Sequence, residues 1–214
     1  MKRVVIADDH AIVREGLKRL VTDAGEMQVV AEAASGTEVM ERVRGLEFDL
    51  LMLDLSMPGK SGLDLIRWVR AERPALRILV LSMHEELQYA VRAIKAGANG
   101  YLTKETAPSL LVQALRKVAS GGAWISAEVA EQLALGVAPG AATQAPHEAL
   151  SDREFEVFEA LVAGEAVSAI AQRLHLSVKT VSTHKANLMH KLGVDNASDL
   201  VRYAIRHGLA DPQP

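Results

Sequence analysis

The sequence predicts an α/β doubly wound domain with a five-stranded parallel sheet, followed by a small all-α domain of four helices. Five short apolar runs with little polar alternation occur in the first 120 residues, as expected of strands that are covered on both faces. Segments with helical spacing separate these runs, which is the βα repeat of a parallel sheet. From residue 150 onward the apolar pattern is purely helical.

The predicted strands are rich in Val, Leu and Ile, and they span residues 3–7, 28–33, 49–53, 77–81 and 100–102. Apolar residues at helical spacing follow the first strand. They form one stripe, which consists of Ile12, Val13, Leu17, Leu20 and Val21. We expect this stripe to pack against the sheet.

A Gly-Gly pair closes the first domain, and a short helix capped by Ser126 follows it. Residues 137–149 are rich in Ala, Pro and Gly. Such a stretch buries too little to fold alone, so we expect a flexible linker with a domain boundary near residue 140. The predicted division is residues 1–122 for the first domain, 123–147 for a linker with a short helix, and 148–214 for the second domain.

The second domain opens with a capping box, because Ser151 is followed three positions later by Glu154. The helix that it starts is predicted to stop at Gly164. Further helices are predicted at residues 167–174, 178–191 and 196–208, with Ser177 as the N-cap of the second of these three.

Composition excludes several classes of protein. The chain has 214 residues, no Cys and a formal net charge of −3, so disulfide frameworks and thiolate chemistry are absent. Its apolar runs are far too short to span a bilayer, and we expect a cytoplasmic protein without a membrane partner. Residues 148–214 hold seven basic and nine acidic residues. DNA binding must therefore be argued from the arrangement of charge rather than from its sum.

Polar residues follow four of the five predicted strands. Ligands of open parallel sheets bind at the carboxyl ends of the strands, and in strand order 2-1-3-4-5 these four ends are neighbours. We therefore expect three carboxylates, a hydroxyl and an ammonium to converge there, from Asp8, Asp9, Asp54, Ser82 and Lys104.

Three carboxylates in one pocket repel each other unless a cation joins them, and a hard, oxygen-ligated ion such as Mg²⁺ suits them. Such an ion also neutralises an incoming phosphoryl group, for which Asp54 is the candidate nucleophile. The structural alternative takes each residue separately, with Asp9 capping the helix that begins near Ala11 and Lys104 simply solvated. All five residues would then have to lie at the same edge of the sheet by chance, which argues against that alternative.

Four segments resemble the receiver domain of response regulators, a flavodoxin-like fold, over residues 1–120. They are ADDH (7–10), LDLSMPGKSG (53–62), VLSMH (80–84) and GYLTK (100–104). The resemblance implies that a sensor histidine kinase phosphorylates Asp54, with Mg²⁺ held by Asp8, Asp9, Asp54 and the carbonyl of Ser56. It also implies that Ser82 and Tyr101 form a switch pair, that Lys104 pairs with the phosphate, and that the positions of Ser56 and His84 tune the lifetime of the phosphorylated state.

Residues 168–194 suit a helix-turn-helix, with a turn at residues 175–177. Val178, Val181, Leu188, Met189 and Leu192 are predicted to form the buried side of its second helix. The other side is small, polar and free of acids, and consists of Lys179, Thr180, Ser182, Thr183, Ala186 and Asn187. Such a face can enter a major groove, although a helical adaptor that binds another protein fits the same periodicity.

Residues 148–208 resemble the LuxR-type DNA-binding domain, and their pairing with a receiver resembles the NarL/FixJ subfamily. The resemblance implies base contacts at Ser182, Thr183 and Ala186. We expect phosphate contacts from Lys179, Thr180 and Lys185 to supply much of the affinity for DNA. The resemblance to this subfamily further implies a homodimer on DNA through the last helix, with Leu200 and Ala204 as contacts. It also implies RNA polymerase as a partner.

The resulting hypothesis is a response regulator in which phosphorylation of Asp54 frees the second helix of the helix-turn-helix and promotes dimers on paired DNA half-sites. The protein is expected to lose the phosphoryl group slowly and not to be a turnover enzyme. One alternative is an aspartate-nucleophile phosphatase, which needs an acid two positions after the nucleophile, where this chain has Ser56. The other is a LuxR-type regulator that senses a small apolar ligand, which gives no reason for the acidic pocket.

Overall fold

The computed structural model describes residues 1–57, 62–83, 87–135, 146–174 and 176–210, apart from the side chains of residues 148 and 152. The chain divides into two compact units, Met1–Leu135 and Gly136–Pro214. Residues 137–145 of the predicted linker (137–149) lie outside the described residues. The same holds for His84 and for His175, the first residue of the predicted turn. None of the helices in the described part of the chain has the length and hydropathy needed to cross a bilayer.

The first unit contains one five-stranded parallel sheet in the order β2-β1-β3-β4-β5, which confirms the predicted fold class. Its strands are β1 (Lys2–Ala7), β2 (Met27–Ala33), β3 (Leu50–Asp54), β4 (Arg77–Ser82) and β5 (Gly100–Thr103). Its helices include α1 (Ala11–Asp23), α2 (Gly36–Gly45), α3 (Gly62–Glu72), α4 (Leu87–Lys95), α5 (Pro108–Ala119) and α6 (Ala127–Leu135).

The middle of this sheet is covered on both faces, since every residue of β3 is buried. This is the physical reason for the continuous apolar runs in the sequence. The apolar stripe of α1 is confirmed at Leu17 and Val21, which lie in the core. It is wrong at Ile12, which is 89% exposed, because five residues of α-helix turn the side chain about 140° away from Leu17.

Residues 123–135 lie in the first unit, although the sequence analysis gives them to the linker. Trp124 runs beside the outer edge of β5, where its carbonyl accepts the N–H of Tyr101 at 3.0 Å and its own N–H donates to the carbonyl of Asn99 at 3.0 Å. Gly100 makes this approach possible, because a Cβ there would lie only 2.8 Å from the side chain of Leu79 and 3.1 Å from the Trp124 carbonyl. The sheet edge therefore ends in a backbone bridge.

Within its described residues, 146–174 and 176–210, the second unit contains four α-helices, as the sequence predicts. They are α7 (Asp152–Val162), α8 (Val167–Arg173), α9 (Val178–Leu192) and α10 (Ala197–Arg206), preceded by a 3₁₀ turn at Pro146–Ala149. Ser151 and Glu154 form the predicted capping box at the start of α7. Gly164 follows the end of α7 in a left-handed conformation with φ 83°, which only glycine adopts without strain.

The core of the second unit contains Phe155 and Phe158 on α7, whose rings stack at 5.7 Å between centroids. On α9 the buried residues are Val181, Leu188 and Leu192, as predicted. Val178 was predicted to be buried with them, but it is 52% exposed, because it lies in the first turn of α9, beyond the cover of the neighbouring helices.

Glu154 joins the capping box to α9. Its Oε2 atom accepts the N–H of Ser151 at 2.7 Å and pairs with Nζ of Lys191 at 2.6 Å. Burial acts to raise the pKa of Glu154, but the bonds from Lys191 and Ser151 outweigh it and lower that pKa below its ordinary value of 4.5. The carboxylate therefore stabilises the fold above pH 4.5, and this contribution is lost as the pH falls through the lowered pKa.

We expect Glu154→Gln to lower the free energy of unfolding of the second unit by about 1 kcal/mol at neutral pH, because the charged partner of Lys191 is lost. The difference from the native protein should shrink as the pH falls below 4.5. Thermal unfolding followed by circular dichroism over this pH range measures it. Asp195→Asn, at an exposed position of the same unit, is the control, and a constant difference at all pH values would contradict the assignment.

Candidate functional site

The acidic pocket lies where the sheet topology predicts it. Asp8 follows β1, Asp54 ends β3, and both residues are only 1% exposed. Lys104 follows β5 and bridges them, because its Nζ atom lies 2.7 Å from Oδ2 of Asp8 and 2.8 Å from Oδ2 of Asp54. We call these three residues the ion triad.

Electrostatics hold the ion triad together. Burial raises the pKa of Asp54, and the hydrogen bonds from Lys104 and from the N–H of Ser56 oppose that rise without cancelling it. Burial acts to lower the pKa of Lys104, but its bonds to Asp54 and Asp8 raise it above its ordinary value. Lys104 is therefore a fixed positive charge between the two carboxylates over the physiological range.

Asp9 and His10 complete the pocket on its exposed side. The backbone N–H of His10 donates to Oδ1 of Asp8 at 2.8 Å. The Nδ1 atom of the His10 ring lies 3.0 Å from Oδ1 of Asp9. Possible ligand atoms of Asp8, Asp9, His10 and Asp54 all lie within 4.8 Å of one another. His10 was not predicted as a site residue, although its place directly after the acidic pair is a signal for it.

The charge and chemistry of the pocket fit a divalent cation. Three carboxylates face one ammonium, which leaves two negative charges without a partner of opposite sign in the pocket. Carboxylate oxygens are the ligands that Mg²⁺ prefers. Asp8, Asp9 and Asp54 are therefore the residues that could hold such an ion.

Arg14 is a second residue that the sequence analysis missed. Its Nη1 atom donates to the backbone carbonyl of Asp8 at 2.7 Å, and its Nε atom donates to Glu32 on β2 at 3.0 Å. The side chain of Arg14 is only 17% exposed. It ties the backbone that carries the acidic pair to α1 and to the neighbouring strand. The only signal for Arg14 in the sequence is a charged residue next to Val13, which belongs to the apolar stripe of α1.

The remaining predicted pocket residues lie at or near this edge of the sheet. The backbone N–H of Ser56 donates to Oδ1 of Asp54 at 3.0 Å, while the Ser56 residue itself is exposed. Ser82 is fully buried at the end of β4, and its carbonyl accepts the N–H of Lys104 at 2.8 Å. Tyr101 is buried on β5, and its backbone is bound to Trp124.

A second candidate site is the outer side of α9, which we call the α9 surface. Its exposed members are Lys179, Ser182, Thr183, Ala186 and Asn187. The other two predicted DNA contacts, Thr180 and Lys185, are half-buried at its margins. No acidic residue lies between positions 178 and 192, so this part of the unit presents positive charge although the unit as a whole is acidic.

The predicted dimer contacts on α10 are not on the surface of the second unit. Leu200 is 1% exposed and Ala204 is fully buried, because both face the core of their own helical bundle. Among the large apolar residues of α10, Ile205 is exposed, at 38%. A dimer contact through α10 needs residues on that exposed side.

Two family models match the chain. The model described as response regulator receiver domain matches residues 4–116. The model described as bacterial regulatory proteins, luxR family, matches residues 148–204. The matched regions contain the acidic pocket and the α9 surface, respectively.

Curated relatives match along nearly the whole chain. The response regulator UvrY of Escherichia coli strain K12 is 34% identical over 213 residues, which cover 100% of this chain and 98% of UvrY. The response regulator GacA of Pseudomonas aeruginosa is 34% identical over 211 residues, which cover 99% of each protein.

Solved structures of RcsB are also similar. RcsB of Salmonella enterica serovar Typhimurium, bound to promoter P1flhDC in the presence of the phosphomimetic BeF₃⁻, is 31% identical with a TM-score of 0.64, covering 94% of this chain and 97% of that chain. An RcsB–DNA complex is 31% identical with a TM-score of 0.59, covering 94% and 96%. Because a receiver model and a luxR-family model both match this chain, and response regulators at 34% identity match it along nearly their whole length, the chain belongs to the two-component response regulators of the NarL/FixJ subfamily, which join a receiver to a LuxR-type DNA-binding domain.

Proposed function

We propose that Asp54 accepts a phosphoryl group from a sensor histidine kinase with Mg²⁺, and that this switches sequence-specific DNA binding and transcription regulation by the second unit. The ion triad is the observation that carries the proposal. A structural ion pair needs one carboxylate for each ammonium, whereas Lys104 faces two buried carboxylates with a third beside them. Such an excess of negative charge is costly unless the site serves to bind a cation.

The reaction that we propose is a transfer from nitrogen to oxygen. A carboxylate oxygen of Asp54 attacks the phosphorus of a phosphohistidine whose other ring nitrogen carries a proton. A P–O bond forms, and the P–N bond breaks with its electron pair going to nitrogen, so that the histidine leaves as neutral imidazole. Asp8, Asp9, Asp54 and the carbonyl of Ser56 would hold Mg²⁺ in this pocket, and the bound ion would supply positive charge to the phosphoryl oxygens. Lys104, already 2.8 Å from Asp54, adds a second positive charge at the same place.

The switch that follows is an electrostatic one. Phosphorylation adds about −1.5 to −2 charges to the pocket. We propose that the ammonium of Lys104 and the hydroxyl of Ser82 donate hydrogen bonds to the phosphoryl oxygens. In the proposed switch Ser82 moves toward the phosphoryl group, and Tyr101, which is buried on β5, is its partner in the switch pair. Water then hydrolyses the phosphoryl group slowly. The reason is that Ser56 occupies the position, two residues after the nucleophile, where an aspartate-nucleophile phosphatase has its acid/base residue. In the proposal, the changed receiver favours a homodimer on paired half-sites.

The DNA-binding half of the proposal is supported by the α9 surface and by the RcsB structures, which are described as bound to DNA. Lys179, Thr180 and Lys185 are proposed to contact phosphates, which position the helix. Ser182, Thr183, Ala186 and Asn187 are proposed to face the bases. RNA polymerase is the further partner that a transcription regulator requires.

Capture of genomic DNA fragments on the purified full chain tests this function. We expect a few promoter fragments to be enriched, and more strongly with a small phosphodonor plus Mg²⁺. Equal enrichment in both states would remove the coupling to Asp54 while DNA binding stands. Absence of enrichment in both states would remove the DNA-binding role.

We expect Arg14→Gln to weaken Mg²⁺ binding by roughly tenfold, because the carbonyl of Asp8 loses a charge-assisted hydrogen bond that holds the acidic pair in place. Isothermal titration of the full chain with Mg²⁺ measures the affinity. Arg19→Gln is the matched control, since Arg19 lies on the same helix with its side chain 78% exposed. Unchanged affinity in Arg14→Gln would show that the acidic pair holds its geometry without Arg14.

A further inference from the structure

We propose that the α9 surface reads A·T base pairs, with Thr183 and Ala186 contacting the methyl groups of thymine and Asn187 binding adenine. The inference rests on the proposed DNA-binding function and deepens it by naming the class of bases that is read. Three features of this surface support the inference. Its hydroxyl groups donate to backbone carbonyls of α9, its exposed residues include Thr183 and Ala186, which carry methyl groups, and Asn187 offers an exposed amide.

The hydroxyl groups of the α9 surface donate into their own helix. Oγ of Ser182 donates to the carbonyl of Val178 at 2.9 Å, and Oγ1 of Thr183 donates to the carbonyl of Lys179 at 3.0 Å. A hydroxyl has one proton, so neither side chain has a donor left for a base. Guanine presents only acceptors, O6 and N7, to the major groove. In this arrangement neither hydroxyl offers guanine a donor.

Methyl groups occupy the middle of the same surface. Thr183 and Ala186 are three positions apart on α9, so they are neighbours on its outer side, and both are exposed. With its hydroxyl turned toward the backbone, Thr183 presents a methyl group, as Ala186 does. Thymine is the base that offers a methyl group in the major groove. Contact between these groups removes apolar area from water on both sides.

Asn187 supplies the polar contact. It lies four positions after Thr183 and is exposed, and its side chain makes no hydrogen bond to any residue that the structure describes. Its amide offers both a donor and an acceptor, which is the pattern that matches N7 and the N6 amino group of adenine. Thymine and adenine form one base pair, so the methyl contacts and the amide favour the same sequence.

The test uses promoter fragments captured by the full chain, in which single thymines of the half-site are replaced with deoxyuridine. This change removes the C5 methyl group and leaves base pairing intact. We expect the affinity to fall about fourfold for each contacted methyl group. Removal of methyl groups from thymines outside the half-site should have no effect.

The variant Thr183→Ser assigns the contact to a residue. Serine keeps the hydroxyl that bonds to Lys179 and loses only the methyl group. We expect about fourfold weaker binding to unmodified DNA and no further loss at one deoxyuridine position. Thr22→Ser is the matched control, because Thr22 also donates into its own helix, to the carbonyl of Lys18 at 2.8 Å, but lies on α1.

The outcomes separate the inference from the function beneath it. If no fragment is bound, both fail together. If fragments are bound and deoxyuridine has no effect at any position, DNA binding stands and thymine reading is wrong. If deoxyuridine weakens binding equally for the native protein and Thr183→Ser, the methyl group of Thr183 is not the reader.

Discussion

Replacing Asp54 with Asn is expected to abolish both phosphate uptake and the gain in DNA affinity caused by a phosphodonor. The amide nitrogen and oxygen of Asn do not form a stable phosphoryl ester, so the nucleophile is lost while the size of the side chain is kept. Intact-protein mass spectrometry measures the uptake. Binding of a labelled promoter fragment, with and without phosphodonor and Mg²⁺, measures the coupling.

Asp64→Asn is the matched control for this experiment. Asp64 is exposed on α3 and pairs with Arg67 at 3.2 Å, so its loss should leave phosphorylation and DNA binding unchanged. Basal DNA binding should survive in the Asp54 variant, because the α9 surface belongs to the other unit. A protein with Asn at position 54 that still gains DNA affinity with phosphodonor would end the model of an aspartate switch.

Replacing Phe158 with Ala is expected to unfold the second unit and to leave the first one folded. Phe158 is fully buried and stacks on Phe155. Removal of a buried phenyl ring costs about 3–5 kcal/mol, which is comparable with the whole stability of a domain this small. The variant should therefore lose DNA binding and still accept a phosphoryl group on Asp54.

Chemical unfolding followed by circular dichroism shows this loss as a missing helical transition. Phe158→Leu is the control, since it keeps most of the buried volume and should retain DNA binding. If the Ala variant lost phosphate uptake as well, the two units would not fold independently. That result would tie the receiver pocket to the helical core.

The strands could be predicted to within one residue at each end, because a buried parallel strand needs an unbroken apolar run. The acidic pocket could be predicted as well. Once the strand order is known, Asp8, Asp54 and Lys104 must meet at the carboxyl edge. These predictions succeed because they depend on topology, which a repeating pattern specifies.

Other contacts depend on side-chain direction, which a single sequence does not specify. Arg14 donates to a backbone carbonyl, and carbonyls carry no signature in a sequence. Leu200 and Ala204 show the same limit. The last helix was predicted correctly, but the face that it turns inward is decided by how it packs within the unit, against α7 among others. An apolar residue on such a helix should be assigned to the core of its own domain unless the packing shows that it is exposed.

The bridge between Trp124 and β5 also protects the protein from aggregation. An open sheet edge offers unpaired backbone groups that can recruit a strand from another copy. Trp124 occupies these groups beside Tyr101 and Asn99. A second copy of the chain is thereby kept from adding a strand where Trp124 is bound.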